Sequence, residues 1–198
     1  MARKLIYIHG FNSSEQSYKA QQLGQWLGQQ SFACTYLTPH LHYDPAIAIV
    51  QLEQLIDEET ALVGSSLGGY YATYLAHQHG LRAVVVNPAV RPFELLHDYL
   101  GPQYNPYQQQ HYTLTHQHVD TLRQLYVESL HAPENILLLQ QSGDEVLPYQ
   151  QAVNYFSASP GHIEFGGDHS FMGFERYFDT LVRFLKITNT NEENQIQL

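Results

Sequence analysis

The chain has a single cysteine, Cys34, among 198 residues. One thiol closes no internal disulfide, so the fold must hold itself together by its core. Cys34 sits in an apolar run and reads as a small core residue rather than a nucleophile. Positive charge is also scarce: 9 Lys+Arg stand against 19 Asp+Glu, a net charge of −10. The few cations are scattered and form no basic stripe, which argues against nucleic acid and anionic membranes as partners. Long apolar runs are missing too. No segment approaches the ~20 apolar residues of a membrane span. The opening run Leu5-Ile6-Tyr7-Ile8 ends at His9-Gly10, too short for a signal peptide. A soluble cytoplasmic protein is the expectation. Zinc-ligand spacing is absent, and His77 and His79, at i and i+2, point to different helix faces. Neither a metal nor a cofactor is expected.

What is present suits a globular domain. Hydrophobic residues make up 43% of the chain, enough to bury a core, and the length suits one domain. Residues 1–186 are read as that domain, with 187–198 a polar, fraying tail. Short apolar runs alternate with helical patterns. Strands are expected at Lys4–His9, Phe32–Leu37, Thr60–Val63, Arg82–Val86, Asn135–Gln141 and His162–Phe165. The spacing of Ser13 and Gln16 predicts a capping box, with a helix from about Ser14 to Gln29. Further helices are expected at Pro45–Asp57, Tyr70–His79, Pro148–Phe156 and Phe171–Lys186. The second of these five should bury Ile47, Val50, Leu52, Leu55 and Ile56. Six strands alternating with helices imply an α/β fold, a mostly parallel six-stranded sheet covered on both faces.

Gly64-Ser65-Ser66-Leu67-Gly68 stands between a strand and a helix. Gly-x-Ser-x-Gly in that context is a nucleophile elbow, with Ser66 on a tight turn and Gly64 and Gly68 allowing close passage of backbone. A serine hydroxyl needs a base to take its proton, and the base needs a group to orient it. His169 and Asp144, each just after a later strand, supply them in the chain order Ser, Asp, His. Glu145 and Asp168 are the rival acids. Among the 12 His, His40 and His42 fall in a loop. His77, His79, His116, His118 and His131 fall on helices or cap surface, and His9 reads as structural. The N–H groups of Leu67 and Phe11 are candidate oxyanion donors, with Gly10 letting the latter approach.

The alternation breaks between residues 91 and 131. Pro92–Leu100 and His118–Leu130 read as helices, and Gly101–His116 as loop. This stretch is aromatic rather than Gly/Ser-rich, so it reads as an inserted cap over Ser66. Gly10, Asn87, Tyr104, Tyr107 and Val146 are the candidate substrate-pocket residues.

These segments resemble a known family. Ile-Tyr-Ile-His-Gly-Phe-Asn-Ser, Gly-Ser-Ser-Leu-Gly-Gly-Tyr-Tyr, Val-Asn-Pro-Ala, Gly-Asp-Glu-Val-Leu and Gly-Gly-Asp-His-Ser-Phe are similar to the α/β-hydrolases. Within them they resemble the small bacterial YqiA-type esterases of the UPF0227 group, over residues 5 to about 174. The resemblance implies an α/β-hydrolase fold lacking its first two strands, and hydrolysis of short acyl esters or thioesters without a cofactor. Two other readings stay open: the same triad acting on another bond type, and a binding protein on this fold that has lost catalysis.

Overall fold

The computed structural model describes residues 1–189. Six parallel strands form the sheet: β1 (Lys4–Ile8), β2 (Thr35–Leu37), β3 (Thr60–Ser65), β4 (Arg82–Val86), β7 (Ile136–Gln141) and β8 (Gly161–Glu164). Their order across the sheet is β2-β1-β3-β4-β7-β8, and every pairing is parallel. The missing numbers belong to an antiparallel hairpin, β5 (Gly101–Asn105) with β6 (Gln110–Leu114). The path leaves β1 outward to β2, then crosses back to β3. Loops after β1 and β3 therefore diverge and leave a crevice at the C-terminal strand ends, where such sheets bind ligands.

The central strands are apolar on both sides because both faces are covered. Ile6, Ile8, Leu62, Ala83, Val85 and Leu138 face one core, beneath α2 (Pro45–Glu53), α3 (Leu67–His79), α5 (His116–Gln124) and α6 (Tyr149–Tyr155). Their neighbours Leu5, Tyr7, Ala61, Val63, Val84 and Leu139 face the other, beneath α1 (Tyr18–Gln29) and α7 (Phe178–Phe184). Burying one Leu or Val side chain stabilises by about 1.5–3 kcal/mol, so two such layers offset much of the chain's lost entropy. Among the described residues no helix is long and apolar enough to cross a membrane.

Several elements differ from the sequence-based expectations. Helix α1 begins at Tyr18 rather than near Ser14, with Ser17 as N-cap. Ser14 Oγ accepts from the Gln16 N–H, and the Ser17 N–H donates to the Ser14 carbonyl. A serine turn takes the place of the capping box and leaves residues 9–17 as loop. In α2, Pro45, Ala48 and Leu52 face inward while Ile47 and Val50 are exposed. Nearly every residue there is apolar, so periodicity could not choose the face. The closing segment is not one helix: Phe174–Tyr177 is a 3₁₀ turn and α7 follows. Phe171, Phe174, Phe178, Leu181 and Leu185 are nonetheless all buried. Ile187 is also buried, and the Ala33 N–H donates to the Thr188 carbonyl, so the tail is docked to Asn189. Residues 190–198 of the expected tail lie outside the described residues. Cys34 is half-buried, and burial pushes its thiol up to about 11.

The 91–131 stretch holds more structure than expected. A short helix, α4 (Pro92–Leu95), runs into a 3₁₀ turn at Leu96–Tyr99, followed by the hairpin and then α5. Gly101–His116 was expected as loop because of Gly101-Pro102 and Asn105-Pro106. Pro102 and Pro106 are tolerated because the ribbon has only one pairing edge per strand and a turn at Asn105. Asn105 Oδ1 accepts from the N–H groups of Tyr107 and Gln108 and closes that turn. Inward Tyr112 and Leu114 alternate with exposed His111 and Thr113.

Candidate active site

Ser66 stands between β3 and α3 with φ 55° and ψ −121°. A non-glycine residue holds such angles only where its surroundings over-determine them. Here they do. The Ser66 N–H donates to the Val86 carbonyl, and the Ser66 carbonyl accepts from Gly69, Tyr70 and Ala89. The neighbouring glycines leave no room for a side chain. A Cβ on Gly64 would lie 2.2 Å from the Gly68 carbonyl oxygen, and one on Gly68 would lie 1.9 Å from that of Ile8. Strand, helix and the end of β1 pass in backbone contact, which lifts the Ser66 side chain out over the sheet edge.

His169 arrives on the loop after β8, and Asp144 on the loop after β7. His169 Nε2 lies 3.2 Å from Ser66 Oγ. Asp144 Oδ2 and Oδ1 lie 2.8 and 2.9 Å from His169 Nδ1. The carboxylate fixes the tautomer: Nδ1 carries the proton and donates, leaving Nε2 free to accept from the serine. Asp144 is aimed by its own loop, since Oδ1 also accepts from the N–H groups of Val146 and Leu147. The rival acids do other things. Glu145 accepts from the His169 backbone N–H at 3.0 Å. Asp168 Oδ1 is buried with no protein partner and makes no bond to the imidazole.

The two loops are tied together by residues that the sequence did not single out for that task. Gly143 N–H donates to the Gly166 carbonyl, and a Cβ on Gly143 would meet the Gly167 carbonyl oxygen at 2.3 Å. Gln141 Oε1 accepts from the N–H groups of Asp168 and Met172, and its amide donates to Glu164 and the Met172 carbonyl. Asn87, expected in the substrate pocket, is 1% exposed and serves as a brace. Its Nδ2 donates to the carbonyls of Asp168 and His169, and its Oδ1 accepts from the Gln141 N–H. A polar residue closing an otherwise apolar strand was the available signal for both.

Asn87 also sits at φ 40°, which asparagine tolerates and alanine resists. Asn87→Ala would leave one buried and two partly buried groups unpaired, at up to about 1–3 kcal/mol each. The expected result is a loss of about 3 kcal/mol or more in urea unfolding. A loss under about 1 kcal/mol would show that the brace is dispensable.

Beside Ser66 lies a cleft of about 610 Å³, lined by Gly10, Phe11 and Asn12 after β1, by the start of α1, by Tyr107 and by Ser66 and His169. A Cβ on Gly10 would come within 3.1 Å of the Ser66 Cβ, so this loop and the elbow touch. Phe11 and Leu67, the candidate oxyanion donors, both flank the elbow and share a smaller recess behind the loop. The hairpin is hooked onto this loop: Asn105 Nδ2 donates to the Ser13 carbonyl, and the Tyr112 hydroxyl donates to Asn12 Oδ1. Of the other expected pocket residues, Gly10 and Tyr107 line the cleft and the rest do not. Tyr104 is 47% exposed and its ring lies 4.5 Å from that of His111, its cross-strand partner on the outer face of the hairpin. Val146 lines a separate recess with Pro92 and Leu95. Lys19 also lines the cleft and donates to the Ser170 carbonyl at 2.8 Å. Burial pulls its ammonium down to about 8, against the opposing pull of Asp168 and Asp144. Among the described residues no cluster of three or more metal-type ligands occurs.

Three comparisons place this geometry among known proteins. A "UPF0227 protein" of Shewanella woodyi is 30% identical over 94 residues, covering 44% of this chain and 52% of that protein. The "UPF0227 protein YcfP" of Salmonella paratyphi B is 31% identical over 96 residues, covering 46% and 53%. The chain thus spans about half the length of the curated relatives it matches. Among solved structures, mouse alpha/beta hydrolase domain-containing protein 10 superposes with a TM-score of 0.68 at 15% identity, covering 93% of this chain and 91% of that one. The ydeN gene product of B. subtilis gives 0.66 at 14%, covering 93% and 100%. Pyrococcus furiosus esterase PF2001 gives 0.64 at 12%, covering 93% and 81%. At these identities the likeness shows the fold, which is the α/β-hydrolase fold. The family model described as "Uncharacterised protein family (UPF0227)" matches residues 4–186, and the chain therefore belongs to the UPF0227 family.

Proposed function

We propose that the protein is a serine hydrolase that cleaves short acyl esters or thioesters. One observation carries the reading: Ser66 Oγ, His169 and the Asp144 carboxylate form a continuous hydrogen-bonded line at the foot of the cleft. In the mechanism, His169 Nε2 takes the Ser66 proton as Oγ attacks the acyl carbonyl. Asp144 holds the ring and stabilises the imidazolium. The carbonyl oxygen becomes an oxyanion facing the N–H groups of Leu67 and Phe11; the Leu67 N–H also stands at the positive end of α3. Collapse of the intermediate expels the alcohol or thiol, which takes the proton from His169. Water activated by the same ring then releases the acyl group from Ser66, so the site needs no cofactor.

The cap reading narrows to one side chain. Tyr107, on the hairpin turn, lines the cleft, whereas Tyr104 does not. The hairpin would act by covering the acyl group with Tyr107 while Asn105 and Tyr112 hold it to the oxyanion loop. That a solved esterase shares the fold supports the reading, as does a net charge of −10 without a basic stripe. The experiment is labelling with a fluorophosphonate, which reacts only with an activated serine. A single adduct on the Ser66 peptide is expected. No adduct under conditions that label a control esterase would instead favour a binding protein without catalysis.

A further inference from the structure

Three carboxylates belong to the two loops that bring His169 into place, and they are occupied differently. Asp144 is bonded to Nδ1 of the ring. Glu145 accepts from the His169 main-chain N–H. Asp168, the residue before His169, has its Oδ1 buried with no hydrogen-bond partner. A buried carboxylate oxygen without a bond is costly unless a cation stands near it. It also bears on the base. Negative charge beside an imidazole favours the imidazolium, and an imidazolium cannot take the proton of Ser66.

A cation reaches this place from another element. Lys19, on α1, is the one Lys, Arg, Asp or Glu among the described residues that line the cleft with Ser66 and His169. Its ammonium donates to the Ser170 carbonyl across 151 residues of chain. Ser170 directly follows His169, so α1 grips the loop that carries the base. Burial draws the Lys19 ammonium down to about 8, against the attraction of Asp168 and then of Asp144. It therefore keeps its charge where an imidazole ordinarily titrates, at about 6.5. The remaining ionisable groups along the cleft are phenols, those of Tyr7, Tyr18 and Tyr107. Phenols ordinarily titrate well above an imidazole.

We propose that Lys19 is a positioning residue for the catalytic base: its hydrogen bond to Ser170 holds the His169 ring toward Ser66, and its charge offsets Asp168. The inference rests on the hydrolase reading above. The two contributions separate in kinetics. Loss of the bond lets the ring wander from Ser66 and lowers kcat. Loss of the charge leaves Asp168 uncompensated and favours the imidazolium. The acid limb of kcat/KM, which reports the base of the free enzyme, then moves to higher pH.

The test is the pH profile of kcat/KM on 4-nitrophenyl acetate. It is run on the parent, Lys19→Met, Lys19→Arg and the double variant Lys19→Met with Asp168→Asn. Methionine keeps the length of lysine and removes both charge and bond. Lys19→Met should move the acid limb up by about half a unit or more, the scale of one charge several ångströms away. Its plateau kcat should fall by up to about tenfold, the scale of one charge-assisted hydrogen bond. Lys19→Arg should keep the parent limb. The double variant should recover the limb while its plateau stays low. An unmoved limb in Lys19→Met overturns the proposal, and so does a shift that the double variant retains. Asp168→Asn alone keeps the bond to Ser170 and decides the matter should Lys19→Met not fold. Its limb should move down by a similar amount, and an unmoved limb overturns the proposal. If the parent hydrolyses no ester, the hydrolase reading fails separately, and the His169 ring is titrated by NMR, its signal assigned by its loss in His169→Gln. A higher midpoint in Lys19→Met than in the parent then supports the charge effect, and equal midpoints overturn it.

Discussion

Ser66→Ala is expected to lower turnover of 4-nitrophenyl acetate by on the order of 10⁶, and to abolish fluorophosphonate labelling. The magnitude follows from the loss of the only atom that forms the acyl-enzyme bond. The fold should survive. Alanine keeps the Cβ and the backbone angles of φ 55° and ψ −121° at the elbow, and the hydrogen bonds that hold it there all come from the main chain. The one bond removed is the 3.2 Å contact to His169 Nε2. Thermal melts of the variant and parent should therefore agree within a few degrees. Retained labelling in the alanine variant would move the nucleophile to another serine. Ser65 is the nearest in sequence, but it is buried and paired within the sheet.

Asp144→Asn is expected to cost on the order of 10⁴ in kcat. The reason is a proton in the wrong place. Asp144 Oδ1 accepts from the Val146 and Leu147 N–H groups, so an asparagine there would keep its oxygen toward the loop. Its NH₂ would then face His169 Nδ1, which would have to become an acceptor. The ring proton would move to Nε2, and the base could no longer take the proton of Ser66. Asp168→Asn is expected to cost less than about tenfold, because that carboxylate makes no bond to the ring. The measurement is kcat for both variants on one ester, with unfolding curves beside it. Larger loss in the Asp168 variant than in the Asp144 variant would assign the acid to the wrong residue.

The chain carries 19 side-chain carboxylates and 12 histidines, and their sorting shows where sequence stops being informative. The Gly-x-Ser-x-Gly spacing and the order Ser66, Asp144, His169 were legible because each follows a strand, and strand ends can be read from short apolar runs. The alternation of Leu5, Tyr7 with Ile6, Ile8 between two cores is the same kind of signal, a period imposed by the pleat. Choosing Asp144 over Glu145 and Asp168 could not be decided from order alone. Three acids within two loops differ only in which way the backbone turns, and that turn is set by Gly143 packed on Gly167 and by Gln141 and Asn87 bracing from below.

The sequence by itself determined the α/β alternation, the elbow and the strand ends at which the reactive side chains stand. These are local properties: a period of two or of 3.6, a glycine where no Cβ fits, an apolar run that stops. The tertiary structure alone decided that α1 starts at Tyr18, which turns Lys19 and the N-terminus of that helix toward the cleft. It alone separated Tyr107 from Tyr104 and moved Asn87 from the pocket to the brace. Those outcomes depend on which distant segment packs against which. Asn87 meets Asp168 and Gln141 across 81 and 54 residues of chain, and no window of sequence spans such contacts.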